Sequence, residues 1–204
     1  MYTLHAAPLS PAGRFLRLVL AEKRLEFQLA PAEADTLPVL VTPDGHEIAD
    51  GLPVAEYLEE TGAGDALMPE GTVARAEVRR LTAAFLHHFE MQVTQWILPE
   101  RMRRLDADGA RLRVGLDALK AWMAEIGMLA EARRWLGGEQ ITLADFAAAA
   151  QLSALDYTGD IAWRTSEQAK DWYARMKSRP SFRALLVETV PGLPPARHYA
   201  LLDF

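Results

Sequence analysis

The chain has 204 residues, of which 50% are hydrophobic and 25% are charged, so we expect an ordinary core in one large or two small domains. Its net charge of −6 disfavours nucleic-acid binding, which requires clustered positive charge opposite the phosphates. The absence of cysteine excludes disulfides, thiolate metal sites and cysteine nucleophiles.

The sequence shows no sign of export or of a membrane segment. Its N-terminal stretch lacks an apolar core of signal-peptide length. The longest uncharged apolar run is the ten-residue FAAAAQLSAL, which is too short to span a bilayer. A cytoplasmic location without a membrane span is therefore the default expectation.

Short strands alternate with two helices in the first part of the chain. The apolar run over 2–6 predicts a strand, and helical spacing begins at Pro11, which follows the good N-cap residue Ser10. A turn at 43–45 predicts a hairpin between two short runs. The remaining elements predicted here are strands over 26–29, 37–41 and 46–49 and a helix over 53–60.

The pattern changes after a Gly-containing linker over 63–72, because only helical spacing follows it. The predicted helices cover 73–103 (with a bend near Pro99), 108–135, 142–156, 166–178 and 181–188. The proline-rich end is expected to run extended over the surface. We therefore predict an α/β domain of order β-α-β-β-β-α over 1–62 and an all-helical domain over 73–204.

Two polar motifs of the helical part are interpreted as structural. Thr142 and Asp145 form a variant capping box, in which the aspartate at N3 answers the amide of the cap residue. The adjacent His87 and His88 project about 100° apart on a helix, so they cannot share one ligand face. We predict no metal site.

Three segments resemble parts of a known superfamily. They are SPAGRFLRLVLAEKRLEF, LPVL and ITLADFAAA. The first is similar to the first helix and second strand of the glutathione transferases. The second is similar to their strand with a usually cis proline, and the third to the start of the buried helix of their second domain. This resemblance covers nearly the whole chain and implies the glutathione transferase fold, with a shortened thioredoxin-like N-terminal domain, and a homodimer.

A narrower resemblance covers roughly the last third of the chain. QLSALDYTGDIAW, AKDWYARMKSRPSFRALL and HYALLDF resemble segments of the bacterial FtsZ-localised glutathione-transferase-like proteins (FzlA type). Members of that subgroup bind the division filament protein FtsZ. The resemblance therefore implies FtsZ as a partner and control of filament shape as a role.

The superfamily resemblance implies a catalytic candidate at Ser10, whose hydroxyl would stabilise the glutathione thiolate. Lowering a thiol pKa from ~8.5 to ~6.5 takes roughly 2.7 kcal/mol. A charge-assisted hydrogen bond of about 1.5–3 kcal/mol and a helix end of about 0.3–1 kcal/mol together supply that. The alternative is that Ser10 only caps its helix.

Four further residues are implied to bind glutathione. Leu37 and Pro38 would offer backbone groups to the cysteinyl unit, with a cis bond turning them outward, or Pro38 simply fixes the entry of the strand. Asp50 and Gly51 stand where the family has Glu-Ser, so a hydroxyl for the γ-glutamyl carboxylate is lost. That loss could weaken binding by about ten- to a hundred-fold. The alternative is an Asp-Gly turn that merely begins a helix.

The connection between the second and third predicted strands is short. Only seven residues, 30–36, separate them, and parallel strands normally need a crossover of a dozen or more residues. Seven residues reach at most ~25 Å, which leaves nothing for a helix. The family places contacts to the glycyl end of glutathione on that helix, so we expect one wall of the pocket to be missing.

The aromatic end of the chain is the candidate partner surface. It contains His198, Tyr199, Asp203 and Phe204 outside any clear helical pattern. Such residues either dock on the body of the protein or contact a partner.

Two functions remain open at this point. One is a non-catalytic or weakly catalytic interaction module that needs no cofactor and binds FtsZ. The other is an active glutathione transferase that uses Ser10 to conjugate glutathione, its substrate, to small electrophiles. A thioredoxin-type redox enzyme is excluded by the absence of cysteine.

Overall fold

The computed structural model describes residues 1–33, 36–103 and 106–202. Its strands are β1 Tyr2–Ala6, β2 Phe27–Pro31, β3 Val39–Val41 and β4 Glu47–Ala49. Its α-helices are α1 Pro11–Glu22, α2 Gly51–Glu60, α3 Thr72–Ala83, α4 Gln95–Met102, α5 Gly109–Ala132, α6 Leu143–Thr158, α7 Glu167–Lys177 and α8 Arg183–Leu186. The predicted order β-α-β-β-β-α followed by helices is confirmed.

The strands form one sheet in the order β2-β1-β3-β4. β1 pairs in parallel with β2 and antiparallel with β3, and β3 pairs antiparallel with β4. Leu4 and Leu40 lie opposite each other at its centre and are fully buried. This arrangement places the start of α1, the approach to β3 and the start of α2 near one another.

The sheet corrects the reasoning about the short connection. β2 and β3 are not a parallel pair, since β1 lies between them and β3 runs against it. The chain therefore has to cross only one strand, roughly 10 Å, which seven residues can do. The expected lack of a helix holds for the described part of the connection, because residues 32–33 and 36–38 are not helical.

Helix α6 is the centre of the helical part. Each of its residues from Leu143 to Tyr157 is buried, and the run Ala147–Ala150 allows close approach of its neighbours. α1 of the first part packs directly against it, and one continuous apolar core includes Phe15 as well as Phe146. The two parts of the chain are therefore joined by a shared core.

The predicted capping box at the start of α6 is present and fully engaged. Asp145 Oδ2 accepts hydrogen bonds from the Thr142 amide (2.9 Å) and hydroxyl (3.0 Å). Its Oδ1 accepts from the Leu136 amide (2.8 Å) and from Trp172 Nε1 (3.0 Å). The carboxylate thus connects the loop before α6 with α7, in agreement with the structural role predicted for this pair.

The long helix predicted over 73–103 departs from α geometry well before Pro99. Its middle, Ala84–Thr94, makes the wider i→i+5 turns of a π-helix between α3 and α4. The buried Gln151 of α6 donates to the Phe85 carbonyl (2.9 Å) and accepts from the Thr94 hydroxyl (2.6 Å). The change of pitch alters which side chains of this helix face the first part of the chain.

Candidate functional site

A cleft of about 550 Å³ lies between the first part of the chain and the helix 72–102. Four of the five predicted glutathione-site residues line it together: Ser10, Leu37, Pro38 and Asp50. The opposite wall belongs to the π-helical segment and α4: Leu86, His87, Glu90, Met91, Thr94, Gln95, Leu98, Pro99 and Met102. The fifth residue, Gly51, is buried directly behind Asp50.

Ser10 is the N-cap of α1 and faces the cleft. Its Oγ accepts a hydrogen bond from the Gly13 amide (3.2 Å), so the capping role is present. Among the described residues, its hydroxyl donates no hydrogen bond to a protein acceptor. Pro11 at the next position has no amide proton, so this helix end offers fewer donors to an anion.

The Leu37–Pro38 peptide bond is trans, and the expected cis bond is wrong for this chain. The Pro38 carbonyl accepts a hydrogen bond from the Asp50 amide (2.9 Å). Leu37 keeps 59% of its surface exposed. The Pro38 carbonyl therefore ties the approach to β3 to the start of α2, while the Leu37 side chain lies at the mouth of the cleft.

The start of α2 satisfies its own first amide. Asp50 has the positive φ of 75°, and its Oδ1 accepts a hydrogen bond of 2.5 Å from the Gly51 amide. A Cβ added at Gly51 would lie 3.3 Å from Leu86 Cδ1 and 3.4 Å from Phe15 Cδ1, so a serine there would be crowded. The amide that would hold a ligand carboxylate is thus taken by a side chain of the protein.

The charge of the cleft is negative. Among the described residues, its lining includes two carboxylates, Asp50 and Glu90, and the imidazole of His87, but no lysine or arginine. Within the described parts of the chain, neither carboxylate has an ion-pair partner within 4 Å. A ligand carboxylate would therefore meet repulsion here instead of a cation.

Glu90 is a lining residue that sequence reasoning missed. Its Oε2 accepts a hydrogen bond from Gln151 Nε2 (2.9 Å). Burial raises its pKa above the ordinary value, although the Gln151 bond and nearby His87 oppose this. The one available signal was the lone glutamine within the apolar FAAAAQLSAL, since a buried amide requires polar partners.

Glu90→Gln is expected to stabilise the protein at neutral pH. The raised pKa means that the fold favours the protonated carboxyl, so stability is lost as pH rises through the folded-state pKa. A glutamine oxygen can still accept from Gln151 without carrying charge. Thermal unfolding should show a higher Tm for the variant at pH 7.5 and convergence of the two proteins near pH 4. A lower Tm at pH 7.5 would contradict this assignment.

The end of the chain packs against the body of the protein at Tyr199. The Tyr199 ring is fully buried, its hydroxyl donates to the Leu185 carbonyl (2.9 Å), and Arg14 Nη1 donates to that hydroxyl (3.0 Å). The prediction that Tyr199 contacts a partner is therefore corrected, because its side chain is buried against the protein itself. His198 is partly exposed, with its Nε2 3.0 Å from Asp156 Oδ1, whereas Asp203 and Phe204 lie outside the described residues.

Over residues 1–33, 36–103 and 106–202, no group of three or more His, Asp or Glu side chains is placed to hold a metal ion. No helix in these ranges has the length and apolar character that crossing a membrane requires.

Comparison with known proteins agrees with the fold. No protein-family model matches the chain. A crystal structure described as a glutathione S-transferase from Rhodospirillum rubrum F11 is 41% identical with a TM-score of 0.94, and each chain covers 100% of the other. The fold and the position of the cleft thus define a protein of the glutathione transferase class.

Two further matches narrow this class. FtsZ-localized protein A of Caulobacter vibrioides is 39% identical over 223 residues, covering 99% of this chain and 98% of that protein. The structure of FzlA from C. crescentus has a TM-score of 0.93 at 39% identity and covers 100% of this chain. The chain belongs to the glutathione-transferase-like family that includes FtsZ-localized protein A.

Proposed function

We propose that this protein is a non-catalytic or weakly catalytic interaction module that binds FtsZ and regulates cell division in the cytoplasm. One observation carries the proposal. The Gly51 amide, which would hold the γ-glutamyl carboxylate, already donates to Asp50 Oδ1 at 2.5 Å. A ligand would have to displace this internal bond, at a position where a serine Cβ would make tight contacts of 3.3 Å with Leu86 and 3.4 Å with Phe15.

The charge of the cleft supports the same proposal. Glutathione carries two carboxylates and one ammonium group, so each carboxylate needs donors or a cation. The part of the lining that the structure describes supplies two carboxylates and no lysine or arginine. Transfer of a carboxylate into such a site without a charge-assisted bond is unfavourable. Both carboxylates of the tripeptide therefore lack a cationic partner among the described lining residues.

The choice of partner and the dimer rest on the family. The name of the Caulobacter relative places that protein with FtsZ, and this chain matches it over its whole length. A homodimer would use α3 and α5, where Val73 is 83% exposed and Met128 is 64% exposed. The chain end is the proposed additional contact with FtsZ: the exposed Leu202 and the partly exposed His198, together with Asp203 and Phe204, which lie outside the described residues.

The alternative is an active glutathione transferase. It is favoured by Ser10, which faces the cleft at the N-terminus of α1 and donates its hydroxyl proton to no described protein acceptor. In that case Ser10 would stabilise the thiolate of bound glutathione, and Leu37 and Pro38 would contact its cysteinyl unit. The substrate would be glutathione together with a small electrophile.

Titration calorimetry with glutathione is expected to show binding no tighter than about 1 mM, which corresponds to about −4.1 kcal/mol.

Sedimentation of FtsZ polymers should carry the wild-type protein into the pellet. Omitting GTP, so that FtsZ does not polymerise, is the control for nonspecific pelleting. Turnover of a chlorodinitrobenzene substrate that disappears in Ser10→Ala would establish the transferase instead.

A further inference from the structure

We propose that the cleft binds a partner polypeptide segment that presents a lysine or arginine between apolar side chains. The inference rests on the proposed function, since it identifies the kind of segment that an interaction module would hold there. It reassigns the cleft from an anionic tripeptide to a cationic side chain.

The charge of the cleft selects a cation. Asp50 and Glu90 are both lining residues, and one oxygen of each is engaged with the protein: Asp50 Oδ1 with the Gly51 amide and Glu90 Oε2 with Gln151. No described lysine or arginine forms a salt bridge with either. A guanidinium or ammonium group entering between the two helices would supply the missing positive charge.

The rim of the cleft is apolar, so it favours a segment with apolar side chains on either side of its basic residue. Leu37 is 59% exposed, Met91 is 55% exposed and Met102 is 45% exposed, and all three line the cleft. They belong to different elements, so their juxtaposition is a feature of the folded protein. Methionine side chains adapt to irregular apolar partners, as at other peptide-binding surfaces. A rim of this kind buries the side chains that flank the basic residue.

A polypeptide segment can pair with the acidic side chains of the cleft and also cover its apolar rim. Simpler ligands can do only one of these. A free polyamine would pair with the carboxylates but leave the apolar rim exposed to water. A purely apolar segment would cover the rim but bury Asp50 and Glu90 without compensation, which is costly. The volume of about 550 Å³ is within the range of pockets that enclose a ligand of this size.

The position of Glu90 supports a binding role for its charge. Gln151 would be satisfied equally well by a glutamine at position 90, and burial raises the pKa of the carboxyl that is present. A carboxylate here therefore costs stability in the unoccupied protein. Side chains that act in binding often lower the stability of the folded protein relative to a neutral replacement at the same position.

The first experiment measures sedimentation of full-length variants with FtsZ polymers. Glu90→Gln and Asp50→Asn remove the cleft charges while keeping an acceptor oxygen, and asparagine tolerates the positive φ at position 50. Glu47→Gln, an exposed acid of β4, is the matched control. Each cleft variant should bind about tenfold more weakly than wild type, with Glu47→Gln unchanged.

The sedimentation results distinguish failure of the cleft as a cation-binding site from failure of FtsZ binding. Wild-type retention with equal retention of both cleft variants would overturn the inference and leave FtsZ binding intact. If the wild-type protein does not sediment with FtsZ polymers, the proposed function is overturned. The peptide-binding experiment then tests the cleft without FtsZ.

The second experiment uses acetyl-Leu-Val-Arg-Leu-Val-amide and the same peptide with citrulline, which has the shape of arginine without its charge. Amide NMR shifts of the full-length protein should map the arginine peptide to residues around Leu37 and Glu90. Binding should be about tenfold weaker for citrulline and for Glu90→Gln. Equal binding of both peptides, or shifts confined to other surfaces, would refute the proposal.

Discussion

Replacing Asp156 by alanine is expected to lower the free energy of unfolding by about 3–5 kcal/mol. Asp156 and Lys177 are both fully buried, with 3.3 Å between Oδ2 and Nζ. Burial lowers the pKa of Lys177, and the Asp156 charge opposes that shift. The variant therefore removes a negative charge that lies beside a buried ammonium group.

The other bonds of Asp156 increase the expected loss. Its Oδ1 accepts from Trp163 Nε1 (3.0 Å) and lies 3.0 Å from His198 Nε2, and Tyr173 donates to its Oδ2 (3.4 Å). α6, α7, the turn between them and the end of the chain thus meet at one carboxylate. Its removal leaves several donors of different elements without this common acceptor.

Denaturant unfolding monitored by tryptophan fluorescence would measure the loss. Asp117→Ala is the matched control, because its pair with Lys120 is exposed on α5 and such pairs contribute little to stability. An Asp156→Leu/Lys177→Met double variant should recover part of the stability, since it removes both buried charges. Equal effects of Asp156→Ala and Asp117→Ala would contradict the role assigned here.

Local signals explain why much of the fold was predictable. The Ser10–Pro11 start of α1 and the Thr142–Asp145 capping box depend on hydrogen bonds within a few residues, which the sequence displays directly. The alternating first part and the helical second part follow from hydrophobic spacing. The cleft residues at Ser10 and Asp50 were predictable because both stand at helix N-termini.

The errors concern information that is not local. Strand direction depends on the neighbour a strand pairs with, so β2 and β3 could not be recognised as antiparallel from their own residues. The π-helical segment relies on Gln151, which is 66 residues from Phe85 along the chain. Its acidic lining residue Glu90 was missed for the same reason. The burial of Tyr199 likewise depends on Arg14, 185 residues away.

Tyr199→Ala is expected to cost about 3–5 kcal/mol of stability, as for other large buried side chains. The ring packs edge-on against Tyr157 with 5.1 Å between centroids, and the two tyrosines form a small apolar cluster with Leu9. Leu9 has a φ of 63° and lines the cleft beside Ser10. The docked end of the chain therefore also supports the strained backbone at the start of the candidate site.

Loss of FtsZ retention in Tyr199→Ala would consequently report disruption of the fold as well as any interface. Tyr199→Phe keeps the ring and removes only the hydroxyl contacts, so it should cost about 1–2 kcal/mol. Leu202→Ala, at a side chain 49% exposed, should change stability by less than about 0.5 kcal/mol and can test the chain end as a contact. Thermal and denaturant unfolding of the three variants should follow this order. If Tyr199→Ala unfolds like wild type, the ring is not part of the core, and its assignment to a partner surface becomes valid again.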